Sequence, residues 1–263
     1  MNVVVLLKQV PDTESLIEIN ADGSDIKTDN LKWILNPYDE LAVEEAIRIR
    51  EKTGSGKVTV LSLGPERAAA AIRTALAMGA DEGVLIADAA LAKADPLVTA
   101  KVLATALKTI PFDLIVAGQR AVDDDSCLVP AAVAEFLGIP MLGLVVRQEI
   151  TGRTIQCELS LQDGTAVVES DLPALMTTQR GLNQPRYASL PNIMKAKKKP
   201  LETRSLAALG LDAAQVGADA PKTGIRSLAF PPQRKVCKMI VGETAEDKAT
   251  QLVRMLREEA GVL

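Results

Sequence analysis

The residues of this sequence best suited to binding chemistry lie between an apolar stretch and a helix-forming stretch. Gly118 to Ser126 contains a glycine, the basic residue Arg120 and three consecutive aspartates, Asp123 to Asp125. A helix N-terminus presents free backbone N–H groups and a positive dipole end, so such a loop can bind a phosphate or an adenosine. The same residues also suit an ordinary acidic helix start, capped by Asp125 or Ser126. Three carboxylates would repel a polyphosphate unless their side chains point away, and the residues alone leave both interpretations open.

A second segment combines an apolar group with a basic run. Leu182 to Lys199 contains a turn, one tyrosine, the apolar residues Leu190, Ile193 and Met194, and four lysines within its last five residues. Charge runs are usually solvated surface, and a nucleic-acid site would need a wider basic surface and more stacking aromatics. An apolar anchor beside a basic rim is instead typical of a surface that docks an acidic protein partner.

The composition excludes several kinds of catalytic and metal site. The 263 residues include no histidine, so a Ser-His-Asp or Cys-His nucleophile and a histidine-ligated metal are impossible. Cys127, Cys157 and Cys237 are far apart in sequence and form no metal-binding pair. The formal net charge of -4 provides no general attraction to nucleic acid or to an anionic membrane. We therefore predict no catalytic residue and no metal site in this chain.

Strand and helix patterns alternate over the first half of the chain. Short apolar stretches, typical of strands buried on both faces of a parallel sheet, alternate with helix-forming stretches of ten or more residues. This alternation predicts an α/β fold with a mainly parallel, doubly wound sheet. The predicted strands are 2–7, 57–63, 84–87 and 114–117, and the predicted helices are 37–52, 65–78, one that is capped by Asp95 and one that ends near Leu137.

The carboxyl ends of these strands include the polar loop described first. Ligands of open parallel sheets bind at the carboxyl ends of the strands, near the point where the strand order reverses. The carboxyl ends here are Lys8-Gln9, Leu63 to Pro65 and Gly118 to Ser126. We therefore expect a binding site where these ends meet.

The second half of the chain has a different pattern. Residues 142–151, 154–161 and 165–178 look extended, with turn signals at Gly152 and Gly164. We predict that they form antiparallel additions to the sheet.

A further change of composition follows residue 199. We place an α/β nucleotide-binding domain at 1–199 and an appended C-terminal region at 200–263. That region contains a proline-rich arm at 220–235 and a final helix, with Thr244 and Asp247 in a capping-box pattern. The apolar stripe of this helix has to be buried, either on its own domain or on a partner subunit.

The N-terminal residues predict a strand and not a targeting segment. Met1 to Lys8 has no basic region before its apolar residues, and the apolar run ends at Lys8. The most apolar long stretch, 127–146, is interrupted by Pro130, Glu135 and Pro140, whereas a membrane span needs about 20 mostly apolar residues. We therefore expect a cytoplasmic protein without direct membrane insertion.

The segment Leu182 to Lys199 closely resembles the signature segment of electron-transfer flavoprotein beta subunits, whose common form is LNEPRYATLPNIMKAKKK. Three further segments match that family in the right order: Asn36 to Glu40, Ala75 to Asp81 and Gly118 to Asp125. The resemblance spans essentially the whole chain. It implies a fold of the adenine nucleotide alpha-hydrolase type and an electron carrier, not an enzyme, which forms a heterodimer with a larger alpha subunit.

In that family the beta subunit binds a structural AMP, while the alpha subunit makes most of the contacts to one FAD near the interface. The resemblance places the AMP site by motif position, largely at the strand ends identified above. The residues implied to bind AMP are Leu6, Asn36, Pro37, Tyr38, Asp39, Leu63, Gly118, Gln119, Arg120, Ala121, Val122, Asp123, Asp124, Asp125, Ser126, Cys127, Leu128 and Val129.

The resemblance also implies the protein partners. Leu190 corresponds to an anchor that enters a pocket of acyl-CoA dehydrogenase-type flavoenzymes, and a downstream quinone oxidoreductase accepts the electrons. The C-terminal arm and helix would dock on the alpha subunit. The residues implied to dock the dehydrogenase are Arg186, Tyr187, Ala188, Ser189, Leu190, Pro191, Asn192, Ile193, Met194 and Lys195.

Two departures from the family pattern bear on the cofactor. Ordinary members often have Asn-Gln-Thr where this chain has Cys127-Leu128-Val129, so backbone groups must bind the phosphate there. An electron-bifurcating branch binds a second FAD in place of AMP and typically has a glycine where Asp124 stands. A side chain and a negative charge at that position disfavour a close pyrophosphate. We therefore expect AMP; the alternatives are a second FAD, or a stand-alone adenine-nucleotide-binding regulator of similar fold.

Overall fold

Strands and helices alternate through most of the chain. A computed structural model describes residues 1–216, 220–233 and 236–262. The strands in these residues are β1 (Val3–Leu7), β2 (Gln9–Pro11), β3 (Trp33–Leu35), β4 (Val58–Leu63), β5 (Glu82–Ile86), β6 (Leu114–Gly118), β7 (Met141–Thr151), β8 (Thr154–Leu161), β9 (Gly164–Asp171), β10 (Ala174–Thr178) and β11 (Leu201–Arg204). The helices are α1 (Pro37–Thr53), α2 (Ala69–Met78), α3 (Pro96–Leu107), α4 (Leu128–Leu137), α5 (Leu190–Ala196), α6 (Ala213–Val216) and α7 (Ala245–Glu258).

The main sheet is parallel over most of its width. Its strand order in the described residues is β11-β5-β4-β1-β6-β10-β7-β8-β9, and β2 pairs with β3 in a separate small antiparallel sheet. Every neighbouring pair from β11 to β7 is parallel, whereas β8 and β9 are added antiparallel beyond β7. The predicted α/β class with a mainly parallel, doubly wound sheet and antiparallel additions is confirmed.

The predicted extended segment 165–178 is in fact two strands with different positions. β9 is the antiparallel edge strand, whereas β10 lies between β6 and β7 and is parallel to both. Pro173 separates the two strands. Because proline has no N–H to donate to a neighbouring strand, the β9 ladder ends there. The assignment of residues 174–178 to the antiparallel additions is therefore wrong. The assignment of 142–151 is wrong in part, because β7 is antiparallel to β8 but parallel to β10 on its other side.

The sheet is covered on both faces, and side chains of β1 alternate between two cores. Val3, Val5 and Leu7 pack with apolar residues of α1 and α2. Val4 and Leu6 pack on the opposite face with α3 and α4. A strand that is buried on both faces needs apolar residues at every position, which explains the continuous run of valine and leucine.

Several helix ends follow the predicted local signals. The Asp95 side chain accepts a hydrogen bond from the Val98 N–H (2.8 Å) at the start of α3, and α2 ends at residue 78, as predicted for the helix 65–78. Thr244 and Asp247 form the predicted capping box of α7. The start of α4 differs, because its N-cap is Cys127 in the left-handed conformation and not Asp125 or Ser126.

The chain divides into two compact units, Met1–Ser227 and Leu228–Leu263. We predicted a boundary after residue 199, but the chain continues from there into β11, which pairs with β5 at the edge of the sheet. The second unit contains α7, whose Leu252 and Val253 remain exposed. Residues 234–235 of the predicted arm lie outside the described residues. Among the described residues, no helix is both long and apolar enough to cross a bilayer.

Candidate functional site

A cavity lies where the strand order reverses. From β1 the sheet extends outward through β4 to β5, and the chain then returns to the other side of β1 to form β6. The carboxyl ends of β1 and β6 therefore flank a crevice of the type in which open α/β sheets bind ligands. A cavity of about 270 Å³ is present there, lined by residues of both strand ends.

Most of the residues predicted to bind a nucleotide line this cavity. They are Leu6, Asn36, Asp39, Leu63, Gly118, Arg120, Ala121, Asp124, Ser126, Cys127, Leu128 and Val129. The other predicted residues lie next to the lining residues in the sequence and do not themselves line the cavity: Pro37, Tyr38, Gln119, Val122, Asp123 and Asp125.

One wall of the cavity was not predicted. It is formed by the segment after β5 and by the first turns of α3, and its members are Leu91, Ala94, Pro96, Thr99 and Leu103. Lys8, directly after β1, also lines the cavity. The sequence did contain a signal, because the Asp95-Pro96 helix start follows a predicted parallel strand and must therefore lie at the carboxyl edge of the sheet.

Asp39 joins the two strand ends at the base of the crevice. Its buried carboxylate accepts hydrogen bonds from the Lys8 N–H (2.7 Å) and from the Gly118 N–H (3.1 Å). A side chain on Gly118 has no room, because an added Cβ would lie 2.2 Å from Asp39 Oδ1. Burial raises the pKa of Asp39 to about 7, although the hydrogen bonds from Lys8 and Gly118 oppose this shift.

This raised pKa predicts that Asp39 makes the chain less stable as the pH rises from about 4 to about 7. The folded carboxyl keeps its proton up to about pH 7, whereas an unperturbed one loses it near 3.8. The folded state therefore binds more protons in this window, and its stability falls with increasing pH. Urea denaturation of the wild type and of Asp39→Asn should show the wild type losing stability relative to the variant between about pH 5 and about pH 7.5. A constant difference would contradict the raised pKa.

Asn36 fixes the loop that follows β6. Its Nδ2 donates to the carbonyl oxygen of Arg120 (2.9 Å), and its Oδ1 accepts from the Val122 N–H (3.2 Å). The guanidinium of Arg120 in turn donates to the Tyr38 hydroxyl (2.9 Å). The residue before α1 and the first turn of α1 therefore determine the course of the loop along the cavity.

The three aspartates of this loop each have a cationic partner. Lys8 Nζ lies 2.8 Å from Asp123 Oδ1 and 2.9 Å from Asp124 Oδ2. Arg120 pairs with Asp125 at 3.1 Å. Burial alone would raise the pKa of Asp124, but the hydrogen bond and charge of Lys8 lower it below its usual value. The negative charge of the loop is therefore largely compensated, which reduces the repulsion that we expected for a phosphate.

The start of α4 lies at one end of the cavity and has no side-chain cap. The N-cap residue Cys127 gives no side-chain cap to this helix. Leu128 and Val129, its first two residues, line the cavity. Backbone N–H groups at the start of a helix have no partner within the helix, and together with the helix dipole they favour a bound anion. By contrast, α3 on the opposite wall is capped by Asp95.

The predicted docking residues surround α5 within residues 182–199, which form the docking segment. Tyr187, Leu190 and Met194 are exposed, with 79% of the Leu190 surface accessible. Ser189 caps α5 by accepting from the Asn192 N–H. Arg186 differs from its neighbours, because its guanidinium is engaged with two glutamates of α1. In the described residues, no cluster of cysteine, aspartate and glutamate side chains is arranged to hold a metal ion.

Comparison with known families matches residues 25–209 to the family described as the electron transfer flavoprotein domain. The electron transfer flavoprotein subunit beta of Bacillus subtilis (strain 168) is 42% identical over 264 residues, which cover 100% of both chains. The protein of the same name from Bradyrhizobium diazoefficiens is 38% identical and also covers 100% of both chains. That from Thermoanaerobacterium thermosaccharolyticum is 39% identical over 94% of each.

The chain belongs to the electron transfer flavoprotein beta subunit family.

The electron transfer flavoprotein domain match includes most of the cavity and the whole docking segment. Residues 25–209 contain α1, the loop after β6 and α5. The full-length relatives extend the similarity to β1 at one end and to α7 at the other. Membership of this family therefore rests on the same elements that build the cavity, and not on an isolated motif.

Proposed function

We propose that this chain is the beta subunit of a heterodimeric electron transfer flavoprotein. In this proposal it is cytoplasmic, accepts electrons from acyl-CoA dehydrogenase-type flavoenzymes and passes them to a quinone-reducing acceptor at the membrane. Its cavity binds a structural AMP, and the redox-active FAD is bound mainly by the alpha subunit. One observation carries the AMP proposal. Where the strand order reverses, the α4 start has no side-chain cap and the aspartates beside it are paired with cationic side chains.

The two ends of the cavity suit the two ends of AMP. Backbone N–H groups at the start of α4, near Leu128 and Val129, would bind the phosphate. Leu63, Leu91 and Leu103 form apolar walls that would pack on the adenine. The carboxylate of Asp124 remains at the cavity even though Lys8 pairs with it. A second phosphate would bring more negative charge toward this carboxylate, so the site favours a monophosphate.

The exposed apolar surfaces support the proposed protein partners. Leu190 and Met194 form an uncovered apolar group beside Lys195, Lys197 and Lys198, as expected for docking on a partner with an acidic rim. In the second unit, the apolar stripe of α7 includes the exposed residues Leu252 and Val253. We assign this stripe to the alpha subunit, because an amphipathic helix that stays uncovered is unfavourable.

The nucleotide content of the purified heterodimer tests the proposal. The chain is coexpressed with its alpha subunit, the complex is denatured, and the released nucleotides are separated by chromatography and quantified. We expect one FAD and one AMP for each heterodimer. Two FAD and no AMP would assign the chain to the bifurcating branch. A colourless protein that purifies without any flavoprotein partner would instead favour the regulator.

A further inference from the structure

Two consecutive glutamates of α1 are buried outside the cavity. Glu44 and Glu45 are 2% and 5% exposed, and neither belongs to the cavity lining. Charged side chains are rarely so deeply buried unless they have partners, because removing a carboxylate from water is costly. The partners of both glutamates include residues that lie immediately before the exposed docking residues.

Glu44 binds Arg186 through several hydrogen bonds. The Arg186 Nε donates to Glu44 Oε2 (2.8 Å), its Nη2 to Oε1 (3.1 Å), and its backbone N–H to Oε2 (3.2 Å). Glu51, two turns further along α1, accepts from Nη1 (2.8 Å) and Nη2 (3.1 Å) of the same guanidinium. Arg48 also donates to Glu44 (2.6 Å). Burial would raise the pKa of Glu44, but the hydrogen bonds from Arg186 and Arg48 lower it, so the carboxylate stays charged.

Glu45 binds Asn183, three residues before Arg186. Its Oε2 accepts from Asn183 Nδ2 (2.8 Å), and the same Nδ2 also donates to the Leu41 carbonyl oxygen (3.0 Å). Gln148 of β7 donates to the other oxygen of Glu45 (2.8 Å). The chain from Asn183 to Arg186 is therefore attached to α1 at two points before it reaches the exposed residues.

The far end of the docking segment is attached to α2. Arg73 Nη1 donates to the carbonyl oxygens of Ala196 and Lys199, both at 2.7 Å. Lys199 Nζ donates to the Leu76 carbonyl oxygen (3.0 Å). The segment is thus fixed at both ends while Leu190 between them remains exposed. A docking surface that is ordered before contact loses less conformational entropy on association.

We propose that Glu44 is a positioning residue for partner docking, which holds Arg186 and thereby the approach of Leu190 to a dehydrogenase. The proposal rests on the proposed function of the docking segment. Glu44 does not line the nucleotide cavity, so its role is separate from nucleotide binding. Exposed Glu51 assists from the other side of the guanidinium.

Glu44→Gln tests this role because it removes the charge and keeps the size of the side chain. The variant is prepared as the heterodimer and assayed with an acyl-CoA dehydrogenase reduced by its acyl-CoA substrate. Because the variant loses charged hydrogen bonds to Arg186, we expect the KM for the carrier to rise at least about tenfold while kcat is unchanged. Amide hydrogen exchange of residues 187–194 should accelerate by a similar factor. Glu51→Gln, on the surface of α1, should change both quantities in the same direction by a smaller factor.

Glu40→Gln on the same helix is the matched control, since Glu40 does not line the cavity and is not a hydrogen-bond partner of Asn183 or Arg186. It should leave the KM and the exchange rates unchanged. A Glu44→Gln variant with wild-type KM and exchange, or with reduced kcat and nucleotide content at constant KM, would overturn the positioning role. A wild-type heterodimer that accepts no electrons from the dehydrogenase would overturn the proposed function instead, while the exchange rates would still decide whether Glu44 orders the segment.

Discussion

Gly118→Ala is expected to abolish nucleotide retention and to destabilise the chain by about 3 kcal/mol, the sum of overpacking and a lost buried hydrogen bond. An added Cβ would lie 2.2 Å from Asp39 Oδ1 and 2.8 Å from Tyr38 Cβ. These atoms belong to the buried first turn of α1, so the clash cannot be relieved by a flexible side chain. The end of β6 must move away from α1, and the Gly118 N–H then loses its bond to Asp39.

The measurement compares AMP content and urea denaturation with those of a second glycine in the same sheet. A Cβ on Gly143 of β7 would meet nothing nearer than 3.8 Å, so Gly143→Ala should fold and retain nucleotide like the wild type. The control separates the general effect of an added methyl group on stability and AMP content from an effect at the end of β6, where the cavity lies. A Gly118→Ala variant that keeps full AMP content would show that the strand end does not form the binding site.

The position of the cavity was predictable because it depends on strand ends and little else. The four strands predicted in the first half are all parallel, so Leu6, Leu63 and Gly118 had to lie at the same edge of the sheet. The local sequence does not predict which strands flank the crevice, since this depends on the strand order. The wall formed by Leu91 and Leu103 was missed for that reason: the Asp95-Pro96 helix start places it at the carboxyl edge, but only the strand order shows that it lies beside this cavity.

Other differences arise where tertiary contacts outweigh local preference. β11 is a four-residue strand whose Glu202 and Arg204 give no apolar pattern, and it forms only because β5 offers a free edge. The start of α4 is shifted to Cys127 because Asp123, Asp124 and Asp125 pair with Lys8 and Arg120. A capping rule considers only neighbours in sequence, whereas one of these partners, Lys8, follows β1 and is more than one hundred residues away.

The docking segment was also predictable only in part from the sequence. Its exposed apolar residues were predictable from composition, because Leu190 and Met194 stand in a basic, turn-rich stretch. The contact that holds these residues in place was not predictable, since the sequence shows Glu44 only as a polar residue in the acidic half of a helix. Glu44 is buried by Arg186, which lies more than one hundred residues later in the chain, so only the folded structure reveals this contact. Residue type indicates what a surface can bind, and tertiary contacts determine how it is presented.

Leu190→Ala is expected to lower kcat/KM for reduction of the carrier by a dehydrogenase about thirtyfold, the effect of a hot-spot anchor that contributes about 2 kcal/mol. Leu190 is 79% exposed, so its side chain makes few contacts within this chain. The loss should therefore appear in the KM for the carrier and not in kcat. Stability should change by less than about 0.5 kcal/mol, as is usual for surface substitutions. AMP and FAD content should remain at the wild-type level.

Val167→Ala is the matched control, since it also shortens an exposed apolar side chain, on the edge strand β9. Steady-state rates measured over a range of carrier concentrations below and above the KM should separate the two variants. Equal rates for Leu190→Ala and the wild type at subsaturating carrier would remove Leu190 as the anchor. An equal loss in both variants would show that exposed apolar area in general promotes the encounter. A loss confined to Leu190→Ala requires a partner pocket that this side chain fills, because the substitution alters neither the charge of the segment nor its attachment to α1.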